Sequence, residues 1–345
     1  MSPVSDLRAY FTRVSTSAKI TDHPVSLPAT LAEEPAKSRF RLDNNCSDIF
    51  ILPDGRQLGY AQYGSQTGPA VFYLHGIPGS RIEAAMFDEL SIQLGLRIIA
   101  ADRPGIGWSS PHPGRTLLDY PKDLEYLAQH LELDGYSVLG VSGGGPYALA
   151  CAMSLPREKL KSVSIVCGLG PPDIGMKGAH LSNWFGFTLG YRYIPCVVKR
   201  YWKRQPEGRL NLTDEKRLKL LLQRVSGSEE KYYAKDLEVM KDEDLLRLFL
   251  RSARESFTQG FEGLLQDGKL MSIDFGFRIE DINPDLPVQL WYGMDDTFVP
   301  LNHGVQIAIR LDGRAHLRVE DETHSSLVVN WKEDILKNLI EAHKA

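Results

Sequence analysis

Ser142 lies in Leu139-Gly140-Val141-Ser142-Gly143-Gly144-Gly145-Pro146, a serine ringed by glycines. The spacing Gly140-x-Ser142-x-Gly144 suits a sharp turn that holds a hydroxyl clear of a sheet edge, where side-chain-free neighbours let strand and helix approach closely. A serine hydroxyl is a weak nucleophile at neutral pH and needs a base within hydrogen-bond reach, itself oriented by a third group. On sheets of this kind the partners follow in the order serine, acid, histidine. Of the late histidines, His303 falls at a helix start, His316 within a strand pattern and His343 almost at the terminus. His324 falls in a loop just beyond a strand end and is the expected base. The acid belongs on a loop after a late strand, where Trp291 to Pro300 offers both Asp295 and Asp296; Asp173, after an earlier strand, is a more distant candidate. Acyl-transfer chemistry also needs backbone N–H groups aimed at a developing oxyanion. Gly143, directly after the serine, and Ile77 in His75-Gly76-Ile77 are placed to supply them. His75 itself reads as a side chain that braces its loop.

These groups need a scaffold, and the pattern around them alternates strand and helix. Strands are expected at Asp48 to Leu52 and Gln57 to Tyr63, joined at Pro53-Asp54-Gly55, then at Ala70 to Leu74, Arg97 to Ala101, Tyr136 to Val141 and Leu160 to Val166. Helices are expected at Arg81 to Leu94 and Leu117 to Leu131, and after Ser142. From about Asp173 to Asn283 the chain turns helical and aromatic, with Trp184-Phe185-Gly186-Phe187 and charged helical runs at Asp214 to Val225 and Asp242 to Glu255. The alternation resumes with strands at Val288 to Tyr292 and Ala315 to Val319, and helices at Leu301 to Leu311 and Leu327 to Ala342. The fold class is α/β: a mostly parallel central sheet of about eight strands flanked by helices, with a helical insertion. Such sheets bind ligands at the carboxyl ends of their strands, where all these loops fall. The expected organisation is an extension over 1–45 with one short helix around Ser5 to Val14, a core over 46–172 and 284–345, and an inserted segment over 173–283.

Composition narrows the function. A net charge of −4 argues against an electrostatic nucleic-acid footprint. Cys46, Cys151, Cys167 and Cys196 are widely spaced, without metal-ligand spacing, and read as reduced, mostly buried thiols of a cytoplasmic protein. No apolar run reaches the roughly 18 residues of a membrane span, and no secretory leader is visible. No cofactor and no metal is expected, and the oligomeric state is not legible.

The motifs together resemble the α/β-hydrolase fold superfamily over residues 48–342. His75-Gly76-Ile77-Pro78-Gly79 is similar to its oxyanion loop, Asp102-Arg103-Pro104-Gly105-Ile106-Gly107-Trp108-Ser109 to its D-R-x-G-x-G-x-S loop, and Gly140 to Gly144 to its elbow. Gly293 to Pro300 fits G-x-x-D-x-x-V-P, which selects Asp296 as the acid; Thr323-His324-Ser325-Ser326-Leu327 resembles G-H-x-x-L with Thr323 in place of glycine. The resemblance makes 173–283 a helical cap and extends, through Gln259-Gly260, Asp267-Gly268 and Gly276 to Ile282, to fungal and bacterial hydrolases of unassigned substrate. It disfavours epoxide hydrolases and haloalkane dehalogenases, which use aspartate at position 142, and proline iminopeptidases, which carry tryptophan where Gly143 stands.

The expected activity is that of a serine hydrolase cleaving an ester, lactone or thioester of a small apolar molecule, with Ser142, His324 and Asp296 catalytic. Trp184, Phe185 and Phe187 are the candidates for substrate contact in the insertion. Alternatives are a C–C bond hydrolase, a lyase, acyltransferase or cyclase on the same fold, and a non-catalytic ligand receptor.

Overall fold

The structure is a computed structural model and describes residues 38–226 and 233–344. The short helix expected at Ser5 to Val14 lies outside these residues. The described residues form one compact unit. Strands β1 (Ser47–Ile51), β2 (Gln57–Gly64), β3 (Ala70–Leu74), β4 (Arg97–Ala101), β5 (Tyr136–Val141), β6 (Leu160–Val166), β7 (Val288–Gly293) and β8 (Ala315–Glu320) form one sheet. Among the described residues it has eight strands in the order β1-β2-β4-β3-β5-β6-β7-β8. β2 is antiparallel to both its neighbours, and every later pairing is parallel.

β3 and β5 are buried along their whole length, as strands are when helices cover both faces. Alternate residues of β5 serve opposite sides: Tyr136 and Val138 enter one core cluster, Leu139 and Val141 the other. Helices α1 (Asp88–Leu94), α2 (Asp119–His130) and α3 (Gly145–Ser154) connect the first strands. Between β6 and β7 come α4 (Leu181–Phe185), a π-helical turn (Gly186–Gly190), α5 (Pro195–Trp202), α6 (Asp214–Ser226), α7 (Ala234–Met240), α8 (Glu243–Ser256) and α9 (Glu262–Met271), with no strand among the described residues. Helices α10 (Asn302–Arg310) and α11 (His324–Lys344) complete the chain.

Four differences from expectation have physical causes. Arg81 to Leu94 is not one helix: Arg81–Phe87 winds as tighter 3₁₀ turns before α1 begins. Its start is pinned, with Arg81 N–H donating to Asp102 Oδ1 at 2.8 Å and Ser80 N–H to Ser252 Oγ at 2.9 Å. Helix α11 begins at His324, not at Leu327. Thr323 N–H donates to Ser326 Oγ at 2.9 Å and Ser326 N–H to Thr323 Oγ1 at 3.3 Å, a reciprocal cap built from residues that read as loop. Residues 38–45, assigned to the extension, lie against the body: Phe40 and Leu42 pack on the core and Arg41 pairs with Asp88 at 2.7 Å. Of the four free thiols only Cys151 and Cys167 are buried; Cys196 is exposed on α5.

β3 lies between β4 and β5, so the winding of the chain reverses there and leaves a crevice at the carboxyl ends of the strands. The register sets Leu74 beside Gly140, and the loops after β3 and β5 therefore leave the sheet side by side. No helix among the described residues is long and apolar enough to cross a membrane.

Candidate active site

Ser142 sits between β5 and α3 with φ +54°, a left-handed conformation that costs a side-chain-bearing residue energy. The turn closes because its neighbours lack side chains. A Cβ on Gly144 would meet Leu74 O at 2.1 Å, and one on Gly140 would meet Ala148 Cβ at 2.7 Å. Ser142 is thereby held at the crevice, half-buried.

His324 arrives from the start of α11 and Asp296 from the loop after β7. His324 Nε2 is 2.9 Å from Ser142 Oγ, and His324 Nδ1 is 2.7 Å from Asp296 Oδ2. Asp296 is fixed from behind: its Oδ1 accepts N–H bonds from Phe298 and Val299, both at 2.8 Å. Phe298 folds back so that its ring stacks on the imidazole, centroids 5.2 Å apart. Burial opposes a charge on His324, but the Asp296 carboxylate outweighs it, and the imidazole pKa stands well above its ordinary value. Asp295 instead spends its N–H on Glu322 O at 3.1 Å, and Asp173 pairs with Arg310 at the surface. His303 is buried on α10, where its Nδ1 accepts from Gly170 N–H at 3.0 Å. Burial pushes its pKa down to about 4. His316 is exposed on β8.

The Ile77 amide lies close to Gly143: a Cβ on Gly143 would be 3.3 Å from Ile77 N and 3.0 Å from Ile77 Cγ2. The Gly143 amide lies in the first helical turn after Ser142, where N–H groups lack intrahelical acceptors, and the Ile77 amide lies beside it. The loop that carries Ile77 is braced on two sides. Gly76 N–H donates to Glu83 Oε1 at 3.1 Å, and the same oxygen accepts from Tyr73 OH at 2.6 Å. Arg103 donates from Nη1 to His75 O at 2.6 Å and from Nη2 to Gly76 O at 2.9 Å. Its Nε donates to Asp267 Oδ2 of α9 at 2.6 Å. Asp267 also accepts from Arg115 and, at 2.9 Å, from Tyr147 OH. Burial raises the pKa of Asp267, but the two guanidiniums prevail and hold it below the usual carboxylate value. His75 is a bracing residue in geometry too: it is wholly buried, with Nδ1 3.0 Å from Gly76 O, and burial together with Arg103 keeps its pKa well below normal.

A second buried ionic group ties α8 to the same end of the sheet. Arg81 meets Asp102 at 2.7 Å and Glu255 at 2.9 Å, with its guanidinium 3.9 Å from the Trp108 ring centroid. Of the aromatic candidates in the insertion, Phe187 packs against the same small cluster as Ile77; Phe185 is half-buried and Trp184 exposed.

Sequence reading missed the neighbours of His324. Cys167, immediately after β6, has its Sγ 3.9 Å from His324 Nε2, and burial raises its pKa. Its place at a strand's carboxyl end was the available signal. Cys167, Asp296 and His324 are the group among the described residues whose ligand atoms come within 4.8 Å of one another, but both imidazole nitrogens already have partners. The arrangement can transfer a proton from a hydroxyl, stabilise the resulting imidazolium and offer two amides to an oxyanion.

A family model described as alpha/beta hydrolase fold matches residues 69–330. A proline iminopeptidase from Xylella fastidiosa is 33% identical over 120 residues, covering 33% of this chain and 37% of that protein. An uncharacterized hydrolase of Bacillus subtilis, YcgS, is 29% identical over 154 residues, covering 44% of this chain and 51% of its own length. The chain thus aligns with about a third to a half of these relatives. Among solved structures, an esterase from Exiguobacterium antarcticum superposes with a TM-score of 0.57 at 18% identity, covering 86% of this chain and 99% of that one. The enol-lactonase from Burkholderia xenovorans LB400 gives 0.56 at 15% identity, covering 86% and 100%. At such identities the likeness is one of fold.

Proposed function

The chain belongs to the alpha/beta hydrolase fold family, and from that premise we propose that it is a serine hydrolase cleaving an ester, lactone or thioester through an acyl-enzyme. The observation that carries the reading is the continuous relay from Ser142 Oγ to His324 Nε2 at 2.9 Å and from His324 Nδ1 to Asp296 Oδ2 at 2.7 Å. Ser142 Oγ attacks the carbonyl carbon as its proton passes to His324 Nε2. The oxyanion is held by the Gly143 and Ile77 amides, and the leaving oxygen or sulfur takes the proton back from the imidazolium. Water, deprotonated by the same nitrogen, then releases the acid and restores Ser142. Asp296 keeps the imidazole in the required tautomer and stabilises its charged form. The helices over 173–283 act as a cap that selects an apolar substrate; Phe187, which packs on the same cluster as Ile77, is the first candidate for substrate contact, ahead of Phe185 and the exposed Trp184. The four free cysteines support a cytoplasmic setting.

Labelling with a fluorophosphonate tests this reading: wild type should be modified at Ser142 and Ser142→Ala should not. A folded wild-type chain that stays unlabelled overturns it. Turnover in heavy-oxygen water must place label in the acid product, which separates hydrolysis from lyase, transferase or cyclase chemistry.

The iminopeptidase relatives favour a second reading, release of an N-terminal proline. Against it, Gly143 stands where the resemblance puts a tryptophan in iminopeptidases, and a Cβ there would lie 3.0 Å from Ile77 Cγ2, so a side chain at that position requires Ile77 to give way. A panel of proline anilides beside p-nitrophenyl esters decides between the two.

A further inference from the structure

From Gly175 to Pro206 the chain carries Lys177, Arg192, Lys199, Arg200, Lys203 and Arg204 and not one acidic residue, although the whole chain has a net charge of −4. The same stretch turns apolar side chains outward. Seven of the seventeen large apolar side chains exposed among the described residues lie between Leu181 and Tyr201. Residues Arg192 to Val197 are exposed without interruption, with Tyr193 61% and Val197 47% exposed. Scattered exposed apolar residues need no explanation, but a run of this kind does.

Folding does not account for it. The inner side of the stretch is already occupied: Tyr191 and Val198 are buried with Phe257, Phe261 and Leu264, and Trp202 Nε1–H donates to Tyr191 OH at 3.0 Å. A Cβ on Gly268 would meet the Tyr191 ring at 2.1 Å, so α9 is already as close as it can come. The outer side carries Leu181, Leu189, Ile194 and Val197 beside aromatic Trp184 and Tyr193. Lys199 pairs with Glu262, whereas Arg192, Arg200, Lys203 and Arg204 have no ion pair among the described residues.

We propose that this face docks on an anionic phospholipid surface, lying in the interface without crossing it. Aliphatic groups reach the acyl boundary, Trp184 and Tyr193 sit at headgroup level, and the unpaired cations meet lipid phosphates. A second copy is a poor occupant, because a two-fold contact would set these cations against each other. A nucleic acid would use the cations and rings but has no use for the aliphatic groups. The proposal rests on the surface alone and does not depend on the hydrolase reading.

The test is cosedimentation of the full chain with vesicles of phosphatidylcholine alone and of equal parts phosphatidylcholine and phosphatidylglycerol. Wild type should bind the anionic vesicles, more weakly at high salt. Arg200→Glu with Arg204→Glu should weaken binding by more than tenfold, since each basic residue near an anionic surface contributes about fivefold. Tyr193→Glu with Val197→Glu should weaken it comparably through the apolar contribution. Both pairs should keep wild-type melting and a wild-type circular dichroism spectrum, which shows that they fold. A folded wild type that ignores anionic vesicles, or binding unchanged by both pairs, overturns the proposal. So does a concentration-dependent dimer lost in Tyr193→Glu, or retention of single-stranded RNA, when vesicle binding is absent.

Discussion

Thr323 donates its hydroxyl to Asp236 Oδ1 at 2.6 Å, so the residue immediately before His324 is held by α7, 87 positions away in sequence. Thr323 stands where the family motif has glycine, and the departure gives it a hydroxyl that glycine lacks. Burial raises the pKa of Asp236, and the Thr323 bond opposes that rise. Losing a hydrogen bond of this kind costs about 0.5–1.5 kcal/mol; felt in the placement of the imidazole, it lowers kcat by roughly 2- to 12-fold. Asp236→Ala should therefore lose kcat with KM unchanged, Thr323→Gly, which also gives up the cap on Ser326, should lose at least as much, and Thr323→Ser should remain near wild type. Steady-state kinetics on a soluble ester read this directly. Full kcat in both variants would reduce the contact to a structural one.

Asp296→Asn removes the charge that holds the His324 pKa up. The imidazole must be neutral to accept the serine proton, so activity falls as the pH drops through its pKa. With the carboxylate gone that pKa falls, and the acid limb of the kcat/KM profile should move to lower pH. kcat itself should drop by about 10⁴, the cost of a lost orienting carboxylate. An acid limb that stays in place would mean that another group sets it.

Gly143→Ala places a Cβ 3.0 Å from Ile77 Cγ2 and 3.2 Å from Ile77 Cβ. The expected result is displacement of the Ile77 amide and a kcat lower by roughly 10- to 100-fold, below the 10²–10³ of a donor removed outright. Ile77→Ala in the same chain takes away the obstructing methyl groups and should restore most of the loss. Failure of that rescue would show that the two amides do not act together.

Asp267→Asn leaves Arg103 and Arg115 buried without their shared counter-charge. Breaking a buried pair from one side costs about 3–5 kcal/mol, seen as a lower urea midpoint at constant slope. Because the carboxyl pKa is lowered in the folded protein, its contribution is present above the ordinary carboxylate range and lost as pH falls through the folded value. The gap between wild type and variant should accordingly be widest near neutrality and close in acid.

The sheet was legible because its inner strands are short apolar runs bounded by turn residues; β3, β4, β5 and β6 begin and end where their composition predicts. Ser142 and Asp296 could be read because glycines and prolines mark their loops, and His324 because it follows directly on a strand pattern. What surrounds them could not. Arg103 and Asp267 are 164 positions apart, and a charged residue in a helix reads as solvated until its partner is known. The start of α11 was misplaced for a related reason: Thr323 and Ser326 look like loop residues but satisfy each other's amides. The outward apolar face of 181–201 was hidden too, since periodicity cannot tell which side of an aromatic stretch is inside.

Arg103 grips two carbonyls of the Ile77 loop with one edge and the α9 carboxylate with the other. The same guanidinium therefore couples the position of α9 to that of the Ile77 loop. Swinging α9 away would strip Asp267 from Arg103, leave that cation buried without its counter-charge and slacken the grip on His75 and Gly76.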